Sequence, residues 1–106
     1  SAQVGAQGEG PVVSTARVTK LPRKIKDFKA QFPAEARKLG IEGKVILSLI
    51  IGASGKVTSA RVIERAGYGF DEAAVKAAEL FEFSPAYLGT SPVSVEVRYT
   101  YVFELR

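Results

Sequence analysis

A chain of 106 residues, 46% hydrophobic and 25% charged, has the composition of one ordinary globular domain with a single modest core. It holds no cysteine, histidine, methionine or tryptophan, which excludes disulfides, thiol chemistry, imidazole general bases and the commonest metal ligand. The formal charge of +4 is unevenly placed, with nine Lys/Arg against four Asp/Glu in residues 1–44 and six against seven in residues 45–106.

No apolar run approaches the roughly 18 residues of a membrane span, and no signal peptide is visible. The chain opens on Ser1-Ala2 rather than Met. That suggests an excised or processed piece, with any export or anchoring segment outside it. Residues 1–20 read as a flexible leader, glycine-rich at Gly5, Gly8 and Gly10. Val12, Ala16 and Val18 allow a short strand within it. Residues 21–31 follow as a mostly extended stretch. The cations Lys20, Arg23, Lys24, Lys26 and Lys29 make it read as a solvated basic linker. Ile25 and Phe28 are its expected anchors on the body.

The stretch from Phe32 to Gly40 carries the signals of a short helix. Pro33 suits a first turn, Glu35 and the Arg37/Lys38 pair complement the dipole, and Gly40 can close the helix in the left-handed conformation. Ala36 and Leu39, three apart, are expected to face inward. Residues 44–51 (KVILSLII) are apolar on both faces, which suits a central strand. Gly52-Ala53-Ser54-Gly55 is a turn, and residues 56–65 form the returning strand of a hairpin. After Gly67 and Gly69, helical spacing of Phe70, Ala74, Ala77, Ala78 and Phe81 predicts a helix over 70–83, with acid in its first turn. Ser84-Pro85 ends it, and residues 88–92 turn into the last element.

That last element is a strand over residues 93–105. Val93, Val95, Val97, Tyr99, Tyr101, Phe103 and Leu105 are apolar, while Ser94, Glu96, Arg98, Thr100 and Glu104 alternate with them and only Val102 breaks the pattern. A period of two means one buried and one wet face. At about 3.3 Å per residue it is long enough to overhang shorter neighbours. With the hairpin strand beside it, the domain is a split β-α-β arrangement in which residues 44–51 are central and the terminal strand is an edge. The stretch holds no proline after Pro92 and nothing else that blocks an edge. It reads either as a long core strand whose ends fray or as an edge that offers unpaired N–H and C=O groups to another strand.

Catalysis has little to work with. Ser54, Ser84 and Ser94 have no histidine to activate them, and Asp71, Glu72, Glu79 and Glu82 are expected on an exposed helix face, with Glu72 and Lys76 spaced for a surface pair. No cluster has metal-ligand spacing. An enzyme is not expected, nor a cofactor. Gly67-Tyr68-Gly69-Phe70 is like the centre of an RNA-recognition signature, but Ala66 replaces the leading cation, and the stretch enters a helix where stacking aromatics need a sheet surface. Nucleic acid is not an expected partner.

Taken together, Phe32-Pro33-x-x-Ala36, Gly40-Ile41-Glu42-Gly43-Lys44-Val45, Gly55-Lys56-Val57, Gly69-Phe70-Asp71-x-Ala73-Ala74, Phe83-Ser84-Pro85-Ala86, Gly89, Pro92-Val93 and the final Val102-Phe103-Glu104-Leu105 resemble the TonB C-terminal domain family in order and spacing. The resemblance covers about residues 21–105, with Phe32 where the family usually has Tyr. It implies an α+β domain, a three-stranded antiparallel sheet with two helices packed on one face and room for an extra N-terminal strand. Residues 21–106 would be that domain. The resemblance also implies the periplasmic end of an energy transducer, whose inner-membrane helix works with an ExbB/ExbD-type proton-driven motor. Such domains capture the TonB-box peptide of an outer-membrane receptor by β-strand addition. The implied peptide site is Val93, Val95, Glu96, Val97, Arg98, Tyr99, Thr100, Tyr101, Val102 and Phe103, with Phe32 and Pro33 nearby. The alternatives are a TonB-like domain of another trans-envelope machine, for gliding motility or secretion, and a homodimer made by pairing two terminal strands. A third is a leader that folds back over the edge in cis.

Overall fold

The period-two pattern at the C-terminus becomes a strand of 13 residues, β7, spanning Ser91–Phe103, and the other elements assemble around it. The computed structural model describes residues 11–105; the glycine-rich part of the leader lies outside the described residues. In chain order the elements are β1 (Val12–Val13), β2 (Arg23–Lys26), α1 (Ala34–Leu39), β3 (Gly43–Ile51), β4 (Val57–Glu64), α2 (Phe70–Ala78), β5 (Glu82–Ser84), β6 (Ala86–Leu88) and β7.

The fold is α+β, with the main sheet in the order β1-β7-β3-β4. β3 lies antiparallel between β4 and β7, as its apolar character predicts. The β3–β7 register runs unbroken from Gly43 opposite Phe103 to Ile51 opposite Val95. The start of β7 overhangs β3, and there Ser91, Pro92 and Val93 pair with β6 while Ser94 and Val95 pair with β1. Because β1 runs parallel to β7, the sheet is mixed rather than purely antiparallel. β2 and β5 form a separate two-stranded sheet.

One face of the main sheet makes the core. Val45, Leu47, Leu49 and Ile51 on β3 are fully buried beneath Phe70, Ala74 and Ala78 of α2, Ala36 of α1, and Phe81. Tyr101, Tyr99, Val97 and Val95 stand opposite them on β7. On the other face Ser48, only 4% exposed, donates its hydroxyl hydrogen bond to Glu96, which Arg61 also approaches at 3.5 Å.

Three details of the helices depart from the sequence reading. The helix predicted over 70–83 stops at Ala78, closed by tighter i to i−3 bonds from Leu80 to Ala77 and from Phe81 to Ala78. Its last residues instead form β5, because pairing with β2 and a bridge to Lys56 satisfy backbone groups while Phe81 and Phe83 still enter the core. Leu39 is exposed rather than inward. α1 ends in a Schellman closure, with Gly40 at φ 69° bonding to Arg37 and Ile41 bonding to Ala36. Ile41, one residue beyond the turn, takes the place against the core.

Asp71 is the third. It is 7% exposed, not on a wet face, and accepts the backbone N–H groups of Ala66 at 2.8 Å and Gly67 at 3.1 Å. Arg65 approaches the same carboxylate at 3.7 Å. It pins the joint between β4 and α2.

At Gly55, in the β3–β4 turn at φ 91°, an added Cβ would lie 2.0 Å from the Phe83 carbonyl oxygen. Gly55 and Phe83 are also joined by a 2.9 Å backbone hydrogen bond. Gly55→Ala is expected to cost about 2 kcal/mol or more, read as a lower urea midpoint at unchanged slope.

Candidate functional site: the open edge of the terminal strand

Each strand of a sheet has two hydrogen-bonding sides, and β7 uses one of them along β3. On the other side, β1 reaches only Ser94 and Val95 before the chain turns away at Ser14, whose carbonyl accepts from Arg17 N–H. For residues 96–103 no second strand neighbour exists among the described residues. Eight residues at about 3.3 Å give a free edge of roughly 26 Å. Of the residues expected to form a peptide site, Glu96, Val97, Arg98, Tyr99, Thr100, Tyr101, Val102 and Phe103 lie along it. Val93 is paired to Ala86, and Val95 to both Val13 and Ile51.

The two faces beside this edge differ. On the outer face Glu96, Arg98, Thr100 and Val102 are exposed, Val102 at 51%. The core face carries a ladder of aromatic rings. Phe81 meets Tyr99 edge-on at 5.3 Å, Tyr101 meets Phe103 at 4.8 Å, and Phe103 meets Phe70 at 4.8 Å. Phe32 closes the far end, edge-on to Phe70 at 5.5 Å and to Phe103 at 5.9 Å, under the guanidinium of Arg37 at 4.9 Å. Pro33 lies against Gly69, within 3.2 Å of where a Cβ would stand. Phe32 and Pro33 therefore support one end of the edge from beneath.

A strap of residues 20–32 runs over this ladder in step with β7. Lys20 bridges to Tyr87 of β6, Lys24 reaches Tyr99, Ala30 reaches Tyr101, and Phe32 reaches Phe103. Lys24 is its main anchor. The ammonium sits 4.3 Å over the Phe81 ring and 4.8 Å over the Tyr99 ring, and donates to the Tyr99 hydroxyl at 2.7 Å and to Asp27 at 3.0 Å. Ala30 N–H donates to the Tyr101 hydroxyl at 2.6 Å.

Ile25 and Phe28, the anchors expected from the sequence, are instead 67% and 48% exposed. Pairing with β5 fixes which way alternate residues of β2 point, and it turns Lys24 inward and Ile25 outward. A hydrophobicity pattern assigns the apolar residue to the inside. It has no means of showing that a cation over two rings is favoured there instead. Nor is the strap simply a solvated linker, since Lys24 keeps only 26% of its side-chain surface exposed.

Elsewhere, Tyr68 takes φ 53° and Gly69 φ 85° at the corner into α2, and Phe70 is fully buried. The stretch that is like an RNA-recognition signature is thus a helix entry. Among the described residues no three His, Cys, Asp or Glu side chains converge as a metal site. A cleft of about 1170 Å³ opens between residues 28–34 and the exposed side of α2, lined by Phe28, Pro33, Ala73 and Leu80 among others.

The fold is a small α+β domain with one long strand that is paired on only one side over residues 96–103. Residues 29–105 match the family described as the Gram-negative bacterial TonB protein C-terminal, and the chain belongs to that family, one of periplasmic interaction domains rather than enzymes. The solution NMR structure of the Pseudomonas aeruginosa TonB C-terminal domain shares the fold, with a TM-score of 0.68 at 20% identity over 92% of this chain and 97% of that one. No curated protein matches the chain.

Burial pulls the Lys24 amine down, but the bonds to Tyr99 and Asp27 outweigh it and hold the pKa above the usual 10.5. The Lys24 ammonium, against some opposing burial, holds the Asp27 carboxyl below the usual 3.8. The Lys24 contribution is therefore intact below pH 10.5 and fades as pH rises through the higher folded value. The Asp27 contribution is intact above pH 3.8 and fades as pH falls through the lower one. Lys24→Ala is expected to cost about 1–2 kcal/mol from the lost cation–π contact and hydrogen bond. Chemical denaturation of both proteins should give that difference, nearly constant between pH 5 and 9 by the two thresholds above.

Proposed function

We propose that this domain captures an extended peptide segment of an outer-membrane or envelope partner by adding it as a strand to residues 96–103 of β7. The observation that carries this reading is the one-sided pairing of that stretch. In the parent protein, an ExbB/ExbD-type motor acting through a membrane-anchored N-terminal part would pull on the captured peptide. Residues 21–106 are the unit proposed to do this, as the periplasmic end of a TonB-like transducer.

Strand addition suits a coupler that must grip and release. Each new backbone hydrogen bond is worth only about 0.5–1.5 kcal/mol net, and ordering a flexible peptide costs about 2–5 kcal/mol. The attachment is therefore micromolar or weaker, depending on side-chain contacts. A pull along the strand direction loads its hydrogen bonds together, so a weak bond at equilibrium still resists shear. β1 marks where the added strand must stop, because Ser94 and Val95 already have a neighbour on that side.

A partner peptide titrated into labelled protein should shift the amides of residues 96–103 and leave those of β4 unchanged. Peptide shifts elsewhere, with 96–103 silent, would sink this reading. Removing residues 1–13 takes away β1 but keeps the Thr19 and Lys20 bonds to Tyr87, and should lengthen the shifted stretch toward Ser94. Sedimentation at rising concentration tests the rival in which two β7 edges pair in a homodimer; a dimer that dissociates on adding peptide shows the same edge serving both.

A further inference from the structure

The residues around the open edge carry more than a bare backbone. On the strap, Lys20, Arg23, Lys26 and Lys29 form no ion pair among the described residues, and neither does Arg98 on the outer face of β7. The nearby acids are already engaged: Asp27 holds Lys24, Glu82, opposite Lys26 in the β2–β5 register, holds Lys56 at 3.7 Å, and Glu96 holds Ser48 and Arg61. The flanks of the edge thus carry an uncompensated positive charge. Much of it lies ahead of residue 29, where the match to the family begins.

The strap's position gives that charge a target. Its contacts to β7 follow the strand in order, Lys24 to Tyr99 and Ala30 to Tyr101. Arg23 and Lys29 each adjoin one of these contacts, and Lys26 lies between them. A strand added beside β7 places its core-face side chains about 4.5–5.5 Å from Val97, Tyr99 and Tyr101. Those side chains come up against the strap.

Resting on the strand-addition reading, we infer that the captured segment is acidic, carrying Asp or Glu at alternate positions on the face that meets the strap. Backbone pairing supplies the grip without regard to sequence, and the strap selects which segment is gripped. The same field attracts an acidic peptide from a distance, so the selection weakens with salt.

The test uses two synthetic peptides of the same β-branched sequence, one with Glu and the other with Gln at alternate positions. Each is titrated into the labelled domain and into Lys26→Gln/Lys29→Gln, whose two side chains are exposed and make no ion pair among the described residues. At low salt the Glu peptide should bind roughly fivefold more tightly than the Gln peptide, as expected for a few exposed charge pairs. The difference should collapse in the double variant and at high salt, with the shifts centred on residues 96–103 throughout. Equal binding of both peptides at that edge would overturn the acidic preference and leave strand addition standing. A Glu peptide that shifts only the strap, with 96–103 silent, would overturn strand addition and this inference with it. Stronger strap shifts from phosphatidylglycerol vesicles than from the Glu peptide would assign the charge to a lipid surface and overturn the inference.

Discussion

The pairing of β3 with β7 is the constraint on which the rest depends. Its continuous register, Gly43 opposite Phe103 through to Ile51 opposite Val95, decides which side chains share a face. A slip of one residue would exchange the whole set between core and solvent. The present register puts Val45, Leu47, Leu49 and Ile51 in one row with Tyr101, Tyr99, Val97 and Val95. The helices have one continuous apolar surface to cover. Gly43 contributes at the end of the ladder: an added Cβ there would lie 2.7 Å from the Phe70 ring, so its absence lets α2 settle directly onto the sheet.

The same register sets up the aromatic ladder, and the ladder in turn holds the strap. Alternate residues of one strand rise on one face, so Tyr99, Tyr101 and Phe103 stand in line and present two hydroxyls and several ring faces. Lys24 satisfies its charge on Asp27, a hydroxyl and two rings at once. That is a low-cost way to place an ammonium over apolar surface. A segment with few buried apolar side chains is thereby fixed across the sheet by polar and cation–π contacts.

The half-used strand is what these contacts leave over. β6 and β1 occupy the start of β7, β3 occupies one side from Val95 to Phe103, and the strap covers the side-chain ends on the core face. Backbone groups on the remaining side of residues 96–103 have no strand partner among the described residues. Proteins commonly protect such edges with proline, bulges or inward charges. Here the only proline in β7 is Pro92, which lies in the part paired with β6.

β3, β4, β7 and the start of α2 were readable in the residues because their periods are local. Two-residue alternation marks β7, a doubly apolar run marks β3, and Gly55 and Gly40 mark turns that only a positive φ can make. The order of motifs such as Phe32-Pro33 and Gly69-Phe70-Asp71 was likewise enough to point to the family. Other features were fixed by partners distant in the chain. β5 replaced the end of a predicted helix because β2, some sixty residues away in sequence, supplied hydrogen bonds there. Asp71 was buried because two backbone N–H groups at the β4–α2 joint needed an acceptor. Lys24 rather than Ile25 became the anchor because pairing with β5 set the direction of each side chain. Local periodicity describes which residues can share a face, whereas hydrogen-bond partners from distant segments decide which face is turned inward.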